Sequence, residues 1–139
     1  MAIERTFAII KPDALKRGVA GDILSRIQKA GFSIIAIKSM RLTQTEAEGF
    51  YAVHSARSFF GELTAFMSSG KIIAMVLETE GAITRWRDTM GATDPAKAEE
   101  GTLRRDFGGS VGENAVHGSD SDENAAIEIA YFFSKLELV

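Results

Sequence analysis

The strongest constraint on this chain is the way its hydrophobic period switches between two and 3.6 residues, because each switch exchanges strand for helix. Thr6 to Lys11 is an apolar run rich in β-branched residues, and Pro12 removes a backbone donor, so a first strand is expected to end in Lys11. From Gly18 the period lengthens. Ala20, Ile23, Leu24 and Ile27 fall at i, i+3, i+4 and i+7, with Asp22, Arg26 and Lys29 opposite and Gly31 placed to end the helix. Phe32 to Leu42 reads as a second strand. Thr43-Gln-Thr-Glu46 has capping-box spacing and opens a helix expected to carry Tyr51 and His54. Phe59 to Met67 predicts a short helix, Lys71 to Leu77 a third strand, Ala82 to Met90 a helix around Trp86, and Ala115 to His117 a last short strand. A final helix begins at Ser121 or Asp122, with Ala126, Ile129, Ala130 and Phe133 expected on one face.

Between Gly91 and Gly112 no period is sustained, and six of the 13 glycines lie between residues 91 and 118. A loop that long inside a compact domain tends to be functional. The order of elements contains the βαββαβ outline of an α+β, ferredoxin-like sandwich. An antiparallel four-stranded sheet is therefore expected, with extra helices and one long loop near 91–112. With 139 residues, 45% of them apolar, a single domain over 1–139 can bury a substantial core.

Composition then excludes several chemistries. The chain has no Cys, which removes disulfides, thiolate metal sites and thiol nucleophiles, and fits a reducing compartment. Its net charge of -3 argues against a dedicated nucleic-acid partner. The N-terminus lacks the pattern of a signal peptide, and no apolar stretch is long enough to span a bilayer, so a cytoplasmic, membrane-free protein is expected. Walker A spacing fails at Gly70-Lys71, and no Gly-x-Gly-x-x-Gly follows the first strand. Gly108 to Gly112 matches the Gly-x-Ser-x-Gly elbow of serine hydrolases. The strand-turn-helix context that gives that motif meaning is missing, so it reads as chance.

Two histidines without further ligands at helical spacing do not suggest zinc. Imidazole chemistry remains, because a neutral imidazole is a good nucleophile near pH 7. His117 sits between a short strand and the last helix, beside Gly118; the ordinary alternative is a loop histidine with its bonds satisfied. Glu128 could orient that ring as carboxylates do in catalytic triads, or it could lie on the polar side of its helix. Spacing leaves both open. Lys11, Arg87, Arg104 and Arg105, with Thr93 and Thr102, surround the irregular segment and suit a polyphosphate; Asp88, Asp94, Glu99 and Asp106 could instead hold them in surface ion pairs. Phe59-Phe60 could place one ring in the core and leave the other to stack on a base.

These residues, taken in order, resemble one family. Lys11-Pro-Asp13, Tyr51, Phe59-Phe60, Met90 to Pro95, Gly101-Thr-Leu-Arg104, Asn114-Ala-Val-His117-Gly-Ser-Asp120 and Glu128 to Phe133 closely resemble the nucleoside diphosphate kinases over essentially the whole chain. The resemblance implies a ping-pong transfer of the γ-phosphoryl group of ATP or another nucleoside triphosphate, through a phosphohistidine, to a nucleoside diphosphate. It implies His117 as nucleophile, oriented by Glu128 with Ser119 in support. Lys11, Tyr51, Arg87, Thr93, Arg104 and Asn114 would hold phosphates, ribose hydroxyls or the transferring group, while Phe59 and Val111 would flank the base. It further implies Mg²⁺ delivered with the nucleotide and a homo-oligomer, either tetramer or hexamer. Ser58, Lys71 and Glu100 stand where the family often has Pro, which loosens loops without touching the chemistry. An RNA-binding domain of the same outline would need an aromatic-basic strand that neither 32–42 nor 71–77 supplies.

Overall fold

A computed structural model describes residues 2–139. Four antiparallel strands, β1 (Ile3–Ile10), β2 (Ser33–Arg41), β3 (Lys71–Glu80) and β4 (Val116–Gly118), lie in the order β2-β3-β1-β4. β1 pairs with β3 from Ile3 opposite Glu80 to Ile10 opposite Ile73, and with β4 through Ala8, Ile9 and Ile10. The expected sheet is therefore present. The apolar run of β1 is continuous rather than alternating because both faces are covered. Ala8 and Ile10 pack with Ile23, Ile27, Leu77 and Trp86 on one side, while Phe7 and Ile9 pack with Met67, Val76 and Phe132 on the other.

The first face is covered by α2 (Ala20–Lys29) and α5 (Ala82–Met90), the two crossover helices. The second carries the additional helices α3 (Gln44–Phe50), α4 (Phe60–Met67) and α7 (Asp122–Phe132). α3 opens with the expected reciprocal capping box: Thr43 Oγ1 accepts from Glu46 N at 3.1 Å, and Glu46 Oε1 accepts from Thr43 N at 2.8 Å.

Several expectations are corrected. β1 ends at Ile10; Lys11 is the N-cap of an unforeseen five-residue helix, α1 (Pro12–Lys16), whose first position is the proline that was expected only to end the strand. α3 stops at Phe50, so Tyr51 caps it and His54 belongs to a 3-10 turn over Ala52–His54. The segment 91–112 is not structureless. It holds a 3-10 turn at Pro95–Lys97, begun by Asp94, and α6 (Leu103–Phe107), begun by Thr102. Elements of three and five residues are too short to display a period, and only their caps betray them. In α7 the inward positions are Ala125, Glu128, Ile129 and Phe132, whereas Ala126 and Ala130 are exposed. The expected face is rotated, because a helix apolar on several sides gives no unique stripe.

β4 carries its residues to opposite faces. Val116 enters the crossover-helix core, and Gly118 meets Trp86 so closely that a Cβ there would lie 2.6 Å from Met90 Cε. Trp86 Nε1 also donates to the His117 carbonyl at 3.1 Å. Gly118→Ala is expected to cost about 1–3 kcal/mol of stability through overpacking, measured by urea unfolding. An unchanged midpoint would show that Trp86 yields freely.

Candidate active site

The site is assembled where β1 ends and β4 runs beside it. His117 lies opposite Ile9 on the second face of the sheet, its ring centroid 5.4 Å from that of Phe50 and 6.1 Å from that of Tyr51, both edge-on. The aromatic walls leave its side chain 19% exposed. The inward rotation of α7 brings Glu128 to it: Glu128 Oε1 lies 2.9 Å from His117 Nε2 and accepts from Ser119 Oγ at 3.0 Å. Ser119 is itself buried, and its N–H donates to the Phe7 carbonyl. A carboxylate accepts only, so a neutral His117 carries its proton on Nε2. Nδ1 has no partner among the described residues and keeps its lone pair.

Donors stand at the end of β1 and in the segment before β4. Lys11 Nζ donates to Asn114 Oδ1 at 2.8 Å, and Asn114 Nδ2 donates to the Thr93 carbonyl at 3.0 Å, tying the end of β1 to the loop after α5. Arg104, on α6, donates to the carbonyls of Gly91 and Val116, while its Nε is buried without a partner. Burial, and then the guanidinium of Arg104, lower the Lys11 ammonium to about 8, the nearby Asp13 carboxylate opposing them. Burial, with Arg87 as a second cation, brings Arg104 down to about 10. Two cations that raise each other's cost are favourably placed for an anion. Tyr51 is also buried with no partner for its hydroxyl, and burial together with Glu128 raises its pKa, so the group remains a neutral donor.

Lys11, Phe59, Thr93, Arg104, Val111 and Asn114 all line one cleft of about 490 Å³. Phe59 and Val111 remain 45% and 57% exposed at it, and the His54 ring lies 5.9 Å from that of Phe59. Arg87 lies in an adjoining cleft that shares Thr93 and Arg104. His117, Ser119 and Glu128 form the cluster behind. Arg105 Nη1 donates to the Ala98 carbonyl and leaves the site, whereas Thr102, which caps α6, lines the adjoining cleft with Arg87. Asp106 pairs with Arg26 and Asp94 caps the 3-10 turn, so the surface ion-pair alternative does not hold Arg87 or Arg104 among the described residues. Ser110 is exposed in a loop between α6 and β4, with no strand-turn-helix around it.

Two residues lie within the quoted motifs but receive no role from the sequence. Ala115, at φ 73°, is the only described non-glycine residue with positive φ, at a cost of about 1–2 kcal/mol. Its carbonyl accepts from Lys11 N at 2.8 Å and its N–H donates to the buried Asp13 Oδ2 at 3.1 Å. Bonds of this kind contribute about 1 kcal/mol each, more to a charged acceptor, so together they offset the strain. An alanine advertises no such conformation, and Asp13 looks like an ordinary first-turn acid.

No group of three or more His, Asp or Glu among the described residues is placed to hold a metal ion.

An imidazole with one free nitrogen, backed by a carboxylate and fronted by cations and hydroxyls, belongs to an enzyme that handles phosphoryl groups. The family model described as nucleoside diphosphate kinase matches residues 4–138. A nucleoside diphosphate kinase of Desulfotalea psychrophila is 62% identical over 99% of this chain and 100% of its own, and one from a Bradyrhizobium species is 60% identical over 100% and 99%. Among solved structures, the Aquifex aeolicus nucleoside diphosphate kinase has a TM-score of 0.97 at 48% identity, covering 99% of this chain and 100% of that one. The Halobacterium salinarum enzyme, in complex with CDP, has 0.94 at 41%, covering 99% and 92%. The chain belongs to the nucleoside diphosphate kinase family, whose reaction passes a phosphate from a nucleoside triphosphate to a nucleoside diphosphate.

The hydrogen bond to Glu128 predicts that neutral His117 is the Nε2–H tautomer. Nitrogen NMR shifts should show Nε2 protonated and Nδ1 bare, and Glu128→Ala should weaken that preference. A protonated Nδ1 in the neutral ring of the parent protein would contradict it.

Proposed function

We infer that the chain, folded as one domain, carries out its family's reaction through a phosphohistidine on His117. The observation that supports this most directly is the occupation of Nε2 by Glu128, which leaves Nδ1 as the attacking atom. In the first half-reaction the Nδ1 lone pair forms a bond to the γ-phosphorus of ATP or another triphosphate. The bond from that phosphorus to the β–γ bridging oxygen breaks, and its electron pair leaves with the diphosphate. The ring acquires cationic character, which Glu128 stabilises through the Nε2 proton, and Ser119 holds the carboxylate in place. In the second half a terminal oxygen of an acceptor diphosphate attacks the same phosphorus, and the electron pair of the N–P bond returns to Nδ1.

The loose transition state places charge on phosphoryl oxygens, so positioned donors provide most of the catalysis. Lys11, Arg87 and Arg104 supply cations, Tyr51 and Thr93 hydroxyls, and Asn114 an amide that reaches a phosphate or ribose hydroxyl. Phe59 stacks on the base with Val111 across from it; every base has a π-face, so broad nucleotide acceptance follows. Mg²⁺ would arrive with the nucleotide and would supply charge neutralisation beside Lys11, Arg87 and Arg104. The chain works in the cytoplasm as a homo-oligomer, tetramer or hexamer. Support comes from a cysteine-free sequence, the absence among described residues of a helix able to cross a membrane, and the unpaired outer edge of β2, where Ile37 is exposed.

Incubation with Mg-ATP should give an acid-labile phosphoryl adduct that disappears on adding a nucleoside diphosphate and never forms in His117→Ala. An adduct in that variant, or one in the parent protein that diphosphates do not discharge, would refute the reading. Lys11 is charged below about 8, so kcat/KM should fall as pH rises through that value. Lys11→Arg should move the decline upward, and an unmoved decline would assign it to another group.

A further inference from the structure

We propose that Asp13 is a positioning residue for the phosphoryl transfer, clamping the left-handed turn at Ala115 so that His117 and the Lys11–Asn114 pair keep a fixed separation. This rests on the reading of His117 as nucleophile. Lys11 and Asp13 flank Pro12 at the start of α1, and both reach the same residue across the end of the sheet. The Lys11 N–H donates to the Ala115 carbonyl at 2.8 Å, and Asp13 Oδ2 accepts from the Ala115 N–H at 3.1 Å. One residue with a costly backbone conformation is thus gripped at both of its polar groups by one helical turn.

The neighbours of that residue are the site itself. Asn114, immediately before, holds Lys11 Nζ and the Thr93 carbonyl; His117, two residues after, is paired with Ile9 of β1. If Ala115 relaxed, the segment between these two anchors would change its path, and Nδ1 would move relative to the cations. The Asp13 side chain is 4% exposed, and its second oxygen is buried without a partner among the described residues. Arg17, one turn later in the chain, reaches the outer side of the bonded oxygen at 3.3 Å, which holds the carboxylate facing the turn. A buried carboxylate with an unfilled oxygen is costly, and Asp13 makes no capping bond to α1; it is explained by the peptide it holds.

Asp13 touches no reacting atom, so its loss should slow chemistry more than it weakens nucleotide binding. In single-turnover measurements at saturating Mg-ATP, Asp13→Ala should form phosphohistidine at least tenfold more slowly, with nucleotide affinity changed less than the rate. Asp13→Asn keeps an oxygen within reach of Ala115 N and should recover at least threefold of that loss. Adding Ala115→Gly to Asp13→Ala should also restore rate, because glycine takes positive φ without strain and needs no clamp. If Asp13→Ala does not fold, comparison of Asp13→Asn and Asp13→Leu with the parent protein decides. In that case an Asp13→Asn rate within tenfold of the parent, paired with a larger loss in Asp13→Leu, would support the proposal, and equal rates in the two variants would overturn it. So would an Asp13→Ala protein that phosphorylates at the parent rate, or a slow one that neither Asn nor the glycine restores. A parent protein forming no adduct would instead bring down the functional reading, and the proposal with it.

Discussion

Three residues of backbone pairing between β1 and β4 fix where the imidazole stands. β1 is the most constrained strand in the molecule, buried on both faces and hydrogen-bonded on both edges. Whatever pairs with it inherits that rigidity. β4 is too short to be stable alone, yet it is held in register opposite Ile9, anchored beyond by the Ser119 amide on Phe7 and below by Trp86 on the His117 carbonyl. The same strand end that seats His117 delivers Lys11, so imidazole and cation share one reference frame.

Burial and charge are balanced against each other at this frame. Lys11 and Arg104 are drawn toward lower pKa by their surroundings; at Lys11 the Asp13 carboxylate opposes that shift only in part, while Glu128 is turned to the ring. The Tyr51 hydroxyl and Arg104 Nε are likewise buried without partners. Buried donors without partners are costly, and each can recover its lost hydrogen bond from a ligand that brings acceptors.

Much of this was legible in the chain. The succession of strands and helices along the chain follows from alternating periods and α3 from the Thr43–Glu46 box, while the absence of cysteine leaves imidazole as the candidate nucleophile. The resemblance to the family named the remaining candidates, and the cleft does gather Lys11, Phe59, Thr93, Arg104, Val111 and Asn114. What escaped was whatever depends on rotation or on short elements. The facing of Glu128 hangs on the roll of α7, a helix with apolar residues on several sides, and α1 and α6 span too few residues to show a period.

Local chemistry therefore determined most of the elements and narrowed the candidate nucleophiles to imidazole, since strand and helix propensity, capping and ionisable groups are written residue by residue. Only the tertiary structure decided which nitrogen of His117 is free, which arginines meet the cleft, and that an unremarkable alanine is held left-handed by a buried aspartate. Those outcomes depend on pairs such as His117 with Glu128 and Asp13 with Ala115, separated along the chain by 11 and 102 residues, and distance in sequence carries no record of orientation in space.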